Sequence, residues 1–83
     1  MDYYLIIARS ITYAQRMSIA MERAGVSSRI YRAPAGLTER GCAYAVRIRE
    51  GDLITALAAL RQAGLPPMKV FLCNNGSCRE MKI

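Results

Sequence analysis

The chain contains no histidine, which excludes Cys-His dyads, imidazole proton transfer and mixed Cys/His zinc sites together. It also has no long apolar run. The longest, Tyr3 to Ala8, is far too short to span a bilayer, so no membrane partner is expected. Low-complexity tracts and internal repeats are absent. A signal peptide's basic n-region, long apolar core and small-residue cleavage site are missing too, and Arg9 breaks the first apolar run early. The expectation is a cytoplasmic protein. Cysteine is sparse and odd in number, three in all. In a reducing compartment such residues are reduced, catalytic or metal-binding rather than a structural framework, and at least one lacks an intramolecular partner. Three thiolates are one short of a closed tetrahedral zinc site, so the reading is no metal and no cofactor. Whatever chemistry exists must use thiols.

What is present describes one small domain. At 83 residues the core is small, while 53% apolar content places the chain among globular proteins. The formal charge is +6, with arginine far outnumbering lysine, which favours an anionic partner such as a phosphorylated ligand, nucleic acid or an acidic protein surface.

Asp2 to Ala8 reads as a central strand buried on both faces. Thr12-Tyr13-Ala14-Gln15 fits a capping box opening a helix, in which Met17, Ala20, Met21 and Ala24 recur at helical spacing until Gly25 stops it. Val26 to Tyr31 alternates as a strand with one open face, with Arg29 and Tyr31 on that face. Ala43 to Arg49 alternates more clearly: Tyr44, Val46 and Ile48 share a side with Cys42, and Ala43, Ala45, Arg47 and Arg49 share the other. Two arginines resist burial, so Cys42 is placed on the covered side. Gly51-Asp52 starts a second helix with the stripe Leu53, Ala56, Leu57 and Leu60, closed by Gly64 and Pro66-Pro67. Met68 to Cys73 is the last core strand. The order β-α-β-β-α-β predicts an α+β fold, a ferredoxin-like sandwich with an antiparallel sheet and both helices on one face. Residues 1–73 make this domain and 74–83 a hairpin or tail. Asn75-Gly76 predicts a type I′ turn pairing Asn74 with Ser77 and Cys73 with Cys78, at a spacing where a cross-strand disulfide is feasible.

The stretch Arg32-Ala33-Pro34-Ala35-Gly36-Leu37-Thr38-Glu39-Arg40-Gly41-Cys42 separates two of these strands. One proline, two glycines and two arginines make it a surface loop that delivers Cys42 to a fixed place. In the split βαβ arrangement that place adjoins the start of the first helix. The helix dipole near Thr12, with Arg9, Arg32 and Arg40, then favours thiolate over thiol. Cys73 and Cys78 are read as a disulfide or redox pair, or as a source of one resolving thiol for Cys42. The competing interpretation of Cys42 is a small buried hydrophobe.

At Arg32-Ala33-Pro34 through Leu37-Thr38 to Cys42 the chain resembles the selenium/sulfur carrier-like family of small bacterial proteins. The likeness runs from the opening strand through the second helix, and the Arg-x-Pro to cysteine spacing is its specific part. It implies that Cys42 holds sulfur or selenium as a persulfide-type adduct, received from a cysteine desulfurase or another sulfur- or selenium-transfer protein and handed on. Ala43 stands where family members often have glycine, which removes some backbone freedom beside the thiol, and the tail from Cys73 lies outside the shared pattern.

Two further functions compete. Arg40-Gly41-Cys42-Ala43-Tyr44 is similar to the RNP1 signature of RNA-recognition motifs, but alternation puts Tyr44 on the covered side and leaves only Tyr31 and arginines on the open face, so nucleic acid is disfavoured. The other is a non-catalytic interaction or anion-binding module, compatible with a homodimer formed through the open face or the last edge strand.

Overall fold

The computed structural model describes residues 2–33 and 43–82. Chain order is β1 (Asp2–Ala8), α1 (Ile11–Arg23), β2 (Arg29–Arg32), β3 (Tyr44–Arg49), α2 (Leu53–Gln62), β4 (Lys69–Asn74) and β5 (Ser77–Met81). Among the described residues this makes a mixed α+β domain, with a five-stranded sheet in the order β2-β3-β1-β4-β5 and two helices. Every neighbouring pair is antiparallel. Each β-α-β passage therefore skips one position in the sheet: β3 lies between β1 and β2, and β1 lies between β3 and β4.

β1 is the centre, pairing with β3 from Tyr3↔Arg49 to Ala8↔Tyr44 and with β4 from Asp2↔Asn74 to Ile7↔Lys69. Its two faces serve two cores. Ile6 and Ala8 pack with Ala14, Met17 and Met21 of α1, Ala56 and Leu60 of α2, and Val46, Ile48 and Val70 of the sheet. Leu5 and Ile7 join Ala43, Ala45, Phe71 and Cys73 on the opposite face. An apolar run without alternation is what a strand buried on both sides requires. Burying one Ile or Leu contributes roughly 1.5–3 kcal/mol, so β1 alone anchors a large part of so small a domain. No polar or charged side chain is buried among the described residues.

The helix boundaries differ from the sequence pattern in instructive ways. Ser10, not Thr12, caps α1: its backbone is extended (φ −152°, ψ 165°) and its Oγ accepts the Tyr13 N–H at 3.1 Å. The chain leaves β1 at Ala8 and must turn Ala14 and Met17 onto the sheet, so the helix begins as soon as one extended residue has passed. Thr12 is left exposed inside the first turn. At the other end, Gly25 (φ +85°) donates to Glu22 O and Val26 to Met21 O, both at 2.9 Å. This six-to-one closure draws Val26 into the core, and β2 begins only at Arg29. Gly64 (φ +70°) and Leu65 repeat the closure on Arg61 O and Leu60 O. A 3-10 turn, Glu50–Asp52, precedes α2, which starts at Leu53 rather than at Gly51-Asp52.

The C-terminal strands form a hairpin. Asn75 (φ 51°) and Gly76 (φ +84°) both take left-handed backbone, and Asn74↔Ser77 and Cys73↔Cys78 are paired across it. Cys73 and Cys78 are joined as a disulfide with S–S 2.03 Å and Cα–Cα 4.1 Å.

Two outcomes are expected from equilibrium urea unfolding. Ser10→Ala should cost about 1 kcal/mol through the lost cap, whereas Thr12→Ala should stay within about 0.5 kcal/mol; equal losses would place the cap elsewhere. Cys78→Ser should cost roughly 2 kcal/mol, the loop-entropy value for so short a closed loop. That difference should shrink sharply when both proteins are compared in reductant.

Candidate functional site

The register defines what surrounds the Cys42 loop. Ala8 pairs with Tyr44 and Tyr44 with Arg32, so the ends of β1 and β2 and the start of β3 meet at one end of the sheet. One step further the Ala33 N–H donates to Ala43 O at 3.0 Å and closes the neck of the loop. α1 starts at that same end, because only Arg9 and Ser10 separate it from β1. Cys42 and Arg40 themselves lie outside the described residues. Ala43, bonded to Cys42, is buried in the second cluster with Ala33, and Tyr44 packs against the helix-side core. The alternation expected for β3 is therefore present from Ala43 onward.

Among the other residues expected at the site, Arg32 is exposed as the last residue of β2. Arg9 is exposed, with its guanidinium carbon 4.9 Å from the centroid of the Tyr13 ring. That contact ties Arg9 to the first turn of α1, and the Tyr13 hydroxyl donates to Pro66 O at 3.3 Å, linking the turn to the approach to β4. The free backbone N–H groups of α1, Arg9 and Arg32 thus lie at the end of the sheet where the loop departs. Together they supply positive potential without a buried charge. Thr12 is on this turn but is not the cap.

Cys73 and Cys78 lie elsewhere. Cys73 pairs with Tyr3, near the start of β1, whereas the Ala43 neck adjoins Ala8 at its end. Five strand residues separate the two positions, roughly 17 Å at about 3.4 Å per residue, well beyond the ~7 Å Cα limit for a disulfide. The tail disulfide and the neck at Ala43 are therefore near opposite ends of β1. No group of three or more metal-ligating side chains comes together among the described residues.

Two aromatic residues on the open face are not apparent from the sequence pattern. Tyr3 and Phe71 belong with the second cluster, so Tyr31 is not alone there. The uninterrupted apolar run of β1 conceals which of its tyrosines faces which way. Only the pairing Leu5↔Arg47, next to Tyr3↔Arg49, sets Tyr3 beside the exposed arginines.

Comparison with curated proteins and with solved structures returns no match. The family described as "Putative Se/S carrier protein-like" matches residues 3–72, a span that runs from β1 into β4 and includes the whole Cys42 loop. With most of its length matched, the chain belongs to the Se/S carrier protein-like family.

Proposed function

We propose that the protein carries sulfur or selenium on Cys42. The observation that carries this reading is the family match over residues 3–72, which spans the only cysteine of the chain that precedes the tail pair. The described frame supports it. The loop neck at Ala33–Ala43 adjoins the start of α1, with Arg9 and Arg32 at the same end, a setting in which an anionic sulfur is favoured over its neutral form. The interleaving of the two β-α-β units supports a ferredoxin-like assignment, with β5 appended at the edge.

The transfer requires no net oxidation. The Cys42 thiolate attacks the outer sulfur of a donor's cysteine persulfide; a new S–S bond forms at Cys42 as the donor's S–S bond breaks, and the donor leaves as a thiolate. The acceptor reverses the exchange and restores the Cys42 thiolate. A selenium donor changes the transferred atom and leaves the bookkeeping of bonds the same. The donor in this proposal is a cysteine desulfurase or another sulfur- or selenium-transfer protein, and the setting is the cytoplasm. No helix among the described residues is long and apolar enough to cross a membrane.

Incubation with a cysteine desulfurase and cysteine, read by intact mass, tests the proposal. The wild-type chain should gain the mass of one sulfur atom, Cys42→Ser should gain none, and a Cys73→Ser/Cys78→Ser double variant should gain as much as wild type. Arg32→Gln should slow alkylation of Cys42 at neutral pH by about two- to fivefold, the size of one exposed guanidinium–anion attraction. Equal sulfur uptake by the Cys42→Ser variant would end this reading.

A further inference from the structure

The open face of the sheet carries a second feature, which runs along β2 and β3 from Tyr31, next to the neck-end Arg32, to Arg49 at the far end of β3. Arg29 of β2 lies directly across from Arg47 of β3, and Arg49 follows two residues on, on the same face. Like charges facing each other across an antiparallel pair are destabilising. Yet all three guanidinium groups are exposed, and the one ion pair among the described residues, Lys69–Glu80 at 3.8 Å, is on other strands. Among the described residues no ion pair joins these three arginines to a carboxylate, while Asp2 and Glu50 line the same groove.

Aromatic rings are interleaved with that charge. The Arg47 guanidinium carbon lies 4.0 Å from the centroid of the Tyr3 ring, a cation–π contact between the two strands. Tyr31, two residues along from Arg29, is 43% exposed. Tyr3, Tyr31 and the three arginines line an open groove of about 1140 Å³. The centre of the same face, Leu5, Ile7, Ala45 and Phe71, is already buried, which confines a ligand to this corner. Asp2 and Glu50 stand at one end of the groove. Glu50 is raised from its ordinary value by a side-chain hydrogen bond with Asp2 and then by the Asp2 charge. The rest of the groove is left to the arginines.

We propose that this groove binds single-stranded RNA, its backbone phosphates pairing with Arg29, Arg47 and Arg49 and its bases stacking on Tyr31 and on the Tyr3–Arg47 pair. A basic groove with exposed ring faces is the general solution for sequence-tolerant binding of single strands. An acidic peptide would use the charge but not the ring faces, and an isolated mononucleotide would need a more enclosed pocket than an open sheet surface offers. The tyrosines concerned, on β1 and β2, are not the residue that the RNP1-like stretch suggested: Tyr44 packs on the helix side. Arg49 stands at the opposite end of β3 from Ala43, roughly 20 Å away at the strand rise, whereas Tyr31 pairs with Ala45, nearer the neck.

Fluorescence anisotropy with a labelled pyrimidine RNA decamer, at several salt concentrations, provides the test. The full-length wild-type chain should bind with an affinity that falls as salt rises. Tyr31→Ala should weaken binding roughly tenfold with no change in salt slope, Tyr31→Phe should restore it, and Arg29→Gln or Arg47→Gln should weaken it and flatten the slope. Arg79→Gln, whose exposed side chain is on the far edge strand, and Cys42→Ser should bind like wild type. The proposal is overturned if the RNA does not bind at low salt, if Tyr31→Ala binds like wild type, or if a polyglutamate peptide or uridine monophosphate competes as well as the decamer does.

Discussion

Everything in this domain depends on β1 being covered on both faces and paired along both edges. A strand in that position cannot slide: a shift of one residue would exchange Ile6 and Ala8 with Leu5 and Ile7 and turn Tyr3 toward the helices. With β1 fixed, antiparallel pairing fixes β3 and β4, and β3 then fixes β2. The helices follow because their apolar stripes have one surface to cover. Their ends are set by two glycines whose left-handed backbone returns the next residue, Val26 or Leu65, to the core.

The same constraint divides the molecule into two chemically distinct ends. At one, the Cys42 loop leaves the sheet between Ala33 and Ala43, beside the opening turn of α1 and the exposed Arg9 and Arg32. Toward the other, Arg29, Arg47 and Arg49 line a groove with Tyr3, Tyr31 stands between the two regions, and the Cys73–Cys78 disulfide is on the neighbouring strands. Net charge alone suggested one diffuse anionic partner. The register distributes that charge along the sheet, from Arg9 and Arg32 near the neck to Arg29, Arg47 and Arg49 toward the far end of β3, with Tyr31 next to Arg32.

Much of the architecture was legible without coordinates. The run Tyr3 to Ala8 implied burial on both faces, the alternation from Ala43 to Arg49 assigned Val46 and Ile48 to the helix side, and Asn75-Gly76 implied the hairpin pairing that sets Cys73 across from Cys78. Local signals failed where two residues competed for one role. Ser10 and Thr12 can both cap a helix, and the exit of β1 selected Ser10. Val26 suits a strand, but the closure of α1 claimed it.

Composition and spacing therefore determined the element types and the apolar stripe of each helix, because these follow from periodicities and residue inventories within a few turns of chain. Only the tertiary structure decided which tyrosines share a face with the arginines and how far the tail cysteines lie from the loop neck. Those are relations between strands distant in sequence, and they arise from the pairing register of β1 with β3 and β4. An unbroken apolar run carries no mark of its own register: the facing of each side chain is settled only when the partner strands are in place.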